Sequence, residues 1–415
     1  MLVIVAIVFG FLYFRESTSA PVVDTGGTNF FSDFNPFGTS KTVPPKVTTP
    51  TIIPIEPEPT IEIIRKLNKV SSMPVAGFGI FRKEKFKKEF ASALRYVDKA
   101  TGNIYQTFAD EIDERQFSAT IIPKIYEAYF GNNAESVVMR YLKTDDRTIE
   151  TFIGSVPKEL LGGDTTEKNE IKGYFLPENI TDVSISPDGS KILYFLNVGD
   201  GIIGSTSSLA SSSLTQAPKK TQIFDSAFTE WLPFWPNTKM ITISTKPAAN
   251  VPGHMYSFDP NKKVEGGLNK ILGDINGLTA LTSPSGKLIL YGNDNLNLNI
   301  FHVDTKASDL LGVRTLPEKC TWNNKGNKTS TFIYCAVPKL VNVAIYPDAW
   351  YQGEISFSDE IWKINVENGN AIKILDPMAE RGEEIDGIKL ALDESENYLF
   401  FVNKKDSYLW ELNLR

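Results

Sequence analysis

Histidine and cysteine are scarce in this chain of 415 residues, which contains two of each. The histidines, His254 and His302, stand far apart, and neither has another histidine, a cysteine or a carboxylate at the spacing that metal ligands require. Too few ligands remain for most metal sites and too few imidazoles for most acid–base schemes. No metal and no cofactor are therefore predicted.

The sequence also lacks the signatures of common enzymes and an excess of positive charge. No G-x-S-x-G elbow, P-loop or dinucleotide-binding fingerprint occurs, which leaves acyl transfer and phosphate chemistry without support. Lysine and arginine number 43 against 50 aspartates and glutamates, a formal net charge of -7. Since no basic field attracts a phosphate backbone, nucleic acid is not expected as a partner.

An apolar run occupies the N-terminus, where Leu2–Phe14 forms 13 residues without a charge and ends at Arg15. A membrane-spanning helix needs about 20 apolar residues, so this single hydrophobic helix is short for a span and similar to the core of a secretory signal. Residues 1–15 are predicted to be a transmembrane anchor or a signal segment. The small residues Ser17–Ala20 would permit cleavage and secretion, whereas Arg15 and Glu16 favour an uncleaved anchor.

Residues 16–59 are rich in Pro, Thr, Gly, Ser and Asn and show no apolar periodicity. Such a segment buries too little apolar surface to fold and behaves as a semi-stiff spacer. We expect a disordered linker that holds the following domain away from the membrane, on the periplasmic side or at the cell surface.

From residue 60 onward, short β-rich segments alternate with polar turns, and no convincing amphipathic helix is found. One unit repeats: a strand, a tight polar turn, a second hydrophobic strand and a third that often carries Trp or Tyr. Repeats of this length and strand content are typical of propeller blades. The predicted fold of residues 60–415 is all-β, a seven-bladed β-propeller of four-stranded blades. The seven copies begin near Val75, Lys124, Asp182, Glu230, Leu278, Lys319 and Ile388.

Two turns and one strand pair carry a resemblance to a known family. The turns read SPDG at Ser186–Gly189 and SPSG at Ser283–Gly286, and EIWKINVENGNAIKILD begins at Glu360. Together they resemble the WD40-like (PD40) repeat of TolB-type bacterial propellers. In these turns Pro fixes φ, Asp or Ser bonds back to the backbone and Gly supplies a positive φ, so the residues are structural. The resemblance implies a propeller that makes protein contacts in the cell envelope.

The last repeat ends one strand short of a complete blade. Thr60–Leu67, with the sequence TIEIIRKL, is similar to the outer strand Ala371–Asp376 of the preceding blade and directly precedes the first inner strand. We therefore expect this N-terminal segment to supply the fourth strand of blade seven and to close the ring.

Cys320 and Cys335 lie on the two strands of one predicted hairpin, about equally far from its turn. They are candidates for a disulfide across the ladder, which an extracytoplasmic location permits. Two separate buried thiols remain the alternative.

The candidate binding surface is the connection Pro338–Ser358, between the second and third strands of blade six. It places Tyr346, Asp348, Trp350 and Tyr351 on one excursion, a composition typical of binding hot spots. The resemblance implies that such loops lie on the face at the channel mouth. The corresponding connection of blade four, Lys246–His254, would stand beside it, and Trp231 would lie nearby. The alternative is that these aromatic side chains pack the loop onto the ring.

The predicted function is that of a membrane-tethered scaffold that binds a protein, peptide or glycan in the cell envelope, and not that of an enzyme. The alternative is a propeller glycosidase or lyase with carboxylates at the channel mouth, for which Glu127, Asp182 and Glu230 are the candidates. The basic segment that starts at Arg82 is expected on the opposite face as a solvated turn.

Overall fold

The computed structural model describes residues 66–86, 89–111, 113–157, 169–209, 218–262, 267–323 and 331–415. The chain divides into two units, Met1–Glu62 and Ile63–Arg415, and all described residues belong to the second. The predicted N-terminal helix at residues 1–15 and the linker at residues 16–59 lie outside the described residues. No helix of the described part combines the length and the hydropathy of a membrane span.

The described residues form seven antiparallel sheets of four strands each, which confirms the predicted seven-bladed propeller. Blades one to three contain, in chain order, β2 (Val75–Phe86), β3 (Glu89–Asp98), β4 (Ile104–Phe108), β5 (Arg115–Gln116); β6 (Ile125–Gly131), β7 (Ser136–Leu142), β8 (Ile149–Ser155), β9 (Lys172–Phe175); and β10 (Ile180–Ile185), β11 (Lys191–Val198), β12 (Gly201–Ser208), β13 (Thr221–Ser226).

Blades four to six follow the same order of strands. They contain β14 (Trp231–Asn237), β15 (Met240–Thr245), β16 (Pro252–Phe258), β17 (Asn269–Asn276); β18 (Thr279–Thr282), β19 (Leu288–Gly292), β20 (Asn297–His302), β21 (Ala307–Arg314); and β22 (Cys320–Trp322), β23 (Phe332–Pro338), β24 (Asp359–Asn365), β25 (Ala371–Leu375). Short helices lie between strands at Pro317–Lys319 (a 3-10 turn), Asp348–Tyr351 (α1) and Pro377–Arg381 (α2).

Blade seven is composite, as the incomplete last repeat predicted. Its strands are β26 (Gly387–Leu392), β27 (Tyr398–Asn403), β28 (Leu409–Asn413) and the N-terminal β1 (Leu67–Lys69), which pairs with β28. The expected closing segment began earlier, at residue 60, but the strand lies at Leu67–Lys69, and residues 60–65 are outside the described range. Leu67 fixes this register because it is fully buried among the apolar side chains of blades six and seven.

The SPDG turn has the structural role that its sequence predicts. It joins β10 to β11, with Gly189 at a φ of 69°. The Ser186 hydroxyl donates to Asp188 Oδ1 at 2.6 Å and accepts from the Lys191 amide at 2.9 Å. These bonds satisfy the backbone at a sharp reversal, so the turn residues are occupied in holding the hairpin.

The basic segment that starts at Arg82 forms the end of a long hairpin, because β2 continues through Phe86 and β3 begins at Glu89. Most of this segment is therefore strand, and not the solvated turn that the sequence predicted. Lys83 and Arg95 turn toward the Phe117 ring, 5.4 and 4.9 Å from its centroid, so part of the positive charge lies against aromatic surface.

The first strands of several neighbouring blades contact one another around the central channel, as β2 does β6 and β10 does β14. At Gly77 on β2 the approach is so close that a Cβ would lie 1.9 Å from the carbonyl oxygen of Ala128 on β6. Only glycine fits there, since any side chain would push two inner strands apart.

Alternating strand direction sorts the connections onto two faces of the ring. In an antiparallel blade, the connection from second to third strand and the connection to the next blade leave from the same edge, opposite the two hairpin turns. We call the edge with the 2–3 and inter-blade connections the loop face. It carries residues 339–358 of blade six and residues 246–251 of blade four.

Replacing Leu67 by alanine tests the closure. The substitution should reduce the free energy of unfolding by roughly 2–5 kcal/mol, because it opens a cavity where the only N-terminal strand of the composite blade joins the core. Urea denaturation measures the loss. Leu310→Ala, at an exposed leucine of β21, is the matched control and should change stability little; an equal loss in both variants would contradict the closure.

Candidate functional site

The predicted binding loop of blade six crosses the loop face and contacts the blade-four connection. Asp348, at the start of α1, accepts a hydrogen bond on Oδ2 from the amide of Ala249 at 3.2 Å. The two connections therefore lie side by side, and the loop is tied down at its tip.

Three of the predicted binding residues are buried. Trp231 packs edge-on against Phe224 and Tyr256, and its indole N–H donates to the Ser226 hydroxyl at 3.1 Å. Tyr346 and Trp350 point under the loop, where both stack on Phe357 at centroid distances of 5.9 and 6.4 Å. These aromatic side chains hold the loop onto the ring.

Trp350 also has polar contacts beneath the loop. Its indole N–H donates to Asp386 Oδ2 at 2.9 Å, and the Lys404 ammonium donates to the Trp350 carbonyl at 2.7 Å. The same ammonium lies 4.6 Å from the indole centroid. The loop is thus attached to blade seven by charge as well as by apolar packing.

His254 lies at the start of β16 and is partly buried. Its amide donates to the Thr245 hydroxyl at 3.1 Å, and its ring centroid is 6.4 Å from that of Tyr256. Its Nδ1 is buried and has no hydrogen-bond partner among the described residues.

Tyr351 is the exposed member of the predicted set, with 41% of its surface accessible. Its hydroxyl donates to the carboxylate of Glu318, which lies on the connection into blade six. Both side chains reach solvent, although neighbouring protein atoms partly desolvate them. This desolvation, and after it the charge of Glu318, raises the pKa of Tyr351 well above its usual value. Desolvation also raises the pKa of Glu318.

Four aliphatic side chains on the blade-six and blade-four connections are exposed to solvent. They are Leu340, Val343 and Ile345 of blade six and Val251 of blade four, with exposed fractions of 72, 105, 60 and 57%. We call these four residues the loop patch. The sequence analysis selected the aromatic residues and missed the aliphatic ones, although KLVNVAI in an otherwise polar connection was a visible signal.

A second group, the channel cluster, comprises Glu127, Tyr129, Arg140, Asp182 and Lys389. Arg140 Nη1 donates to Glu127 Oε2 at 2.6 Å and Nη2 donates to the Ile180 carbonyl of blade three at 2.7 Å. The Tyr129 hydroxyl donates to Glu127 Oε1 at 2.5 Å. From blade seven, Lys389 donates to the Ala76 carbonyl of blade one at 2.9 Å and lies 6.0 Å from the Tyr129 ring centroid.

The channel walls shift the pKa values of this cluster in opposite directions. Burial raises the pKa of Asp182 to about 6, and the nearby charge of Glu127 adds to the rise, while the Val183 amide and the charges of Arg140 and Lys246 oppose it. Burial lowers the pKa of Lys389, with Glu127 acting against the shift. Asp182 thus keeps its proton to a higher pH than an ordinary aspartate, and Lys389 loses its proton at a lower pH than an ordinary lysine.

The three carboxylates proposed from the sequence are not equally placed. Glu127 and Asp182 are near enough to interact electrostatically. Glu230 instead forms an exposed ion pair with Lys246 at 2.6 Å, and the hydrogen bond from Lys246 lowers the pKa of Glu230. Arg140 and Lys389 were missed because they reach the cluster from another strand and another blade, whereas Tyr129, two residues from Glu127 on β6, could have been found from the strand alternation.

A fully buried triad lies beneath the blade-six loop. Lys319 Nζ is 2.8 Å from Asp359 Oδ2 and also contacts Asp386 Oδ1, and none of the three side chains reaches solvent. Next to it, Cys320 and Cys335 are paired across β22 and β23, with their sulfur atoms 2.13 Å apart in a disulfide. Among the described residues, no three His, Cys, Asp or Glu side chains are grouped for a metal ion.

The fold defines the class of the chain as a seven-bladed β-propeller. No family model and no curated protein matches it. It is similar to an oligogalacturonate lyase solved in complex with manganese, at 9% identity over 84% of this chain and 98% of that one, with a TM-score of 0.51. Further similar structures are a puromycin-hydrolyzing peptidase of Mycobacterium tuberculosis (10% identity, 79% of this chain and 50% of that one, TM-score 0.46) and TolB from Acinetobacter baumannii (9%, 71% and 78%, TM-score 0.41).

The likeness to oligogalacturonate lyase corrects one prediction. The chain was expected not to be an enzyme, but it shares its fold with a propeller enzyme over 84% of its length. At 9% identity the likeness is one of fold alone, which a binding scaffold and an enzyme can both use. The exclusion of catalysis is therefore wrong.

The raised pKa of Asp182 predicts a pH-dependent stability. Its pKa of about 6 in the folded chain exceeds the ordinary 3.8, so the folded state keeps a proton that the unfolded chain has lost. The stability that this retained proton adds to the folded state is complete below pH 3.8 and is lost as pH rises through about 6. The Asp182→Asn side chain is neutral at every pH. The free energy of unfolding of this variant, relative to that of the wild type, should therefore rise as pH increases from 3.8 to about 6, by at most about 1.4 kcal/mol per pH unit.

Urea denaturation at several pH values measures the difference. Asp225→Asn, at an exposed carboxylate of the outer strand of the same blade, provides the control and should run parallel to the wild type. A constant offset between Asp182→Asn and the wild type across the pH range would contradict the raised pKa.

Proposed function

We propose that this chain is an extracytoplasmic binding propeller, tethered to the membrane by its N-terminal segment, whose loop patch docks a polypeptide partner. The observation that carries the proposal is the exposure of Leu340, Val343, Ile345 and Val251 on two connections that contact each other. Exposed apolar side chains that form a group mark an interaction site more often than single exposed apolar residues do.

The loop patch stands on a rigid support. Tyr346 and Trp350 are buried beneath it, and Asp348 ties its tip to Ala249. A surface that is held in place before binding loses little conformational freedom when a partner arrives, which favours affinity. The buried aromatic residues thus contribute to binding by positioning the patch.

Aliphatic side chains favour a polypeptide over a glycan as the partner. Sugars stack on flat aromatic rings, and Tyr351 is the only exposed ring of the predicted set. Branched aliphatic surface instead complements apolar side chains of another chain. The TolB-type repeat resemblance, seen in SPDG at Ser186–Gly189, supports a partner in the cell envelope.

Site-specific photo-crosslinking tests this function. A photoreactive amino acid at position 343 of the full chain, irradiated in intact cells, should yield one discrete protein adduct. The same amino acid at position 310, an exposed leucine position on the outer strand of blade five, is the matched control and should yield none.

A second substitution links the adduct to apolar docking. Ile345→Asp in the chain carrying the photoreactive residue should reduce the adduct at least tenfold, because it places a charge in the contact. The same adducts from positions 343 and 310, or a yield that Ile345→Asp leaves unchanged, would refute the docking function.

The channel cluster favours a second candidate, cleavage of a glycosidic bond. Asp182 keeps its proton to about pH 6, while Glu127 is paired with a guanidinium and a phenol. Two carboxyl groups held in different environments are the arrangement that such cleavage uses, one as proton donor to the bridging oxygen and one as a negative charge beside the sugar. In an acidic sugar, Lys389 would be the amine available to remove a proton next to the carboxyl group.

Incubating the purified full chain with a panel of neutral and acidic polysaccharides tests this candidate. Release of reducing ends, or a rise in ultraviolet absorbance if the bond breaks by elimination, would report cleavage. Asp182→Asn should lower the rate roughly 100-fold or more, the usual contribution of a positioned acid, and Asp225→Asn should not. No release from any polysaccharide, or equal rates in all three proteins, would reject the candidate.

A further inference from the structure

The buried triad of Lys319, Asp359 and Asp386 brings together three separate elements. Lys319 ends the 3-10 turn before β22, Asp359 opens β24, and Asp386 immediately precedes β26. All three side chains have no accessible surface. The Trp350 and Phe357 rings form the apolar walls, with centroids 5.4 and 5.3 Å from the ammonium nitrogen.

The two carboxyl groups differ in their hydrogen bonds. Asp386 accepts from Lys319 on Oδ1 and from the Trp350 indole and the Phe357 amide on Oδ2, the latter two at 2.9 and 3.1 Å. Asp359 accepts from Lys319 and from the Gly387 amide on Oδ2, at 2.8 and 2.7 Å. Its Oδ1 is buried and has no hydrogen-bond partner among the described residues.

One ammonium cannot neutralise two carboxylates, so a dry site favours one protonated carboxyl group. Asp386 has the donors that suit an anion on both oxygens, whereas Asp359 has an unpartnered oxygen that can carry the proton. In agreement, burial raises the pKa of Asp359 to about 6, with the charge of Asp386 adding to the rise and that of Lys319 opposing it.

We propose that Lys319 and Asp359 join covalently, forming an amide between the lysine Nζ and the aspartate Cγ with loss of one water. Asp386 first accepts a proton from the Lys319 ammonium, which leaves a neutral amine. The amine nitrogen attacks Cγ of protonated Asp359, and the C–Oδ1 bond breaks.

The proton balance closes within the triad. The amine gives up one further proton as the amide forms, and the hydroxyl of Oδ1 leaves with one proton as water. Asp386 ends protonated and hydrogen-bonded to the new amide. The ammonium and the carboxylate, opposite charges at the start, are both neutral at the end.

Geometry and desolvation both favour this reaction. Lys319 Nζ, at 2.8 Å from Oδ2, is held beside the carboxyl carbon, and reactive groups held about 3–3.5 Å apart gain a large effective concentration. Buried charges are costly even when paired, so a step that replaces them by a neutral amide relieves the site. The apolar walls also keep out the water that would hydrolyse the product.

The cross-link would close a loop between residues 40 apart, around the disulfide of residues 15 apart. Within this loop lies the whole connection that carries Leu340, Val343 and Ile345. Blade six would thus be covalently locked at the base of its longest loop, independently of what that loop binds.

Mass spectrometry of the full chain after reduction of the disulfide tests the inference. The wild type should be lighter than Lys319→Arg by one water molecule beyond the Lys-to-Arg difference. A proteolytic digest of the wild type should contain a branched peptide with residues 319 and 359. Asp386→Asn, which removes the proton acceptor, should reduce the branched peptide at least tenfold.

Wild-type digests decide the question even where a variant fails to fold. Recovery of linear, unmodified peptides covering residues 319 and 359 in full yield would overturn the inference. So would a water loss located on Asp386–Gly387 alone, which would mark a cyclic imide within that sequence.

Discussion

The pairing of Leu67–Lys69 with Leu409–Asn413 is the constraint on which the rest of the structure depends. A propeller blade buries its faces only against two neighbours, so an open ring would expose the apolar surface of its terminal blades and an unpaired strand edge. The N-terminal strand removes that edge. Its hold is reinforced by Arg381, whose guanidinium donates to the Leu67 carbonyl at 2.6 Å.

Closure brings polar groups of adjacent blades together around the channel. Arg140 reaches the backbone of blade three, Lys389 that of blade one, and the Ser184 hydroxyl accepts from the Trp235 amide of blade four at 3.0 Å. These bonds satisfy inner strands that would otherwise bury unpaired carbonyls and amides. The same burial shifts the pKa values of Asp182 and Lys389, so ring assembly and the chemistry of the channel have one physical origin.

The blade count was predictable because each hairpin is local in sequence and repeats its turn chemistry and strand alternation. The position of the blade-six loop followed from the same repeats. Side-chain direction did not: Tyr346 and Trp350 both turn inward onto Phe357, which leaves Val343 and Ile345 outside. The channel cluster was out of reach for another reason, since Lys389 and its acceptor at Ala76 are 313 residues apart.

Loop patch and channel cluster meet through the blade-four connection. Val251 of that connection belongs to the patch, while Lys246, at its other end, lowers the pKa of Asp182 by its charge. One short segment therefore carries both an exposed apolar side chain of the patch and a charge that acts on the channel cluster.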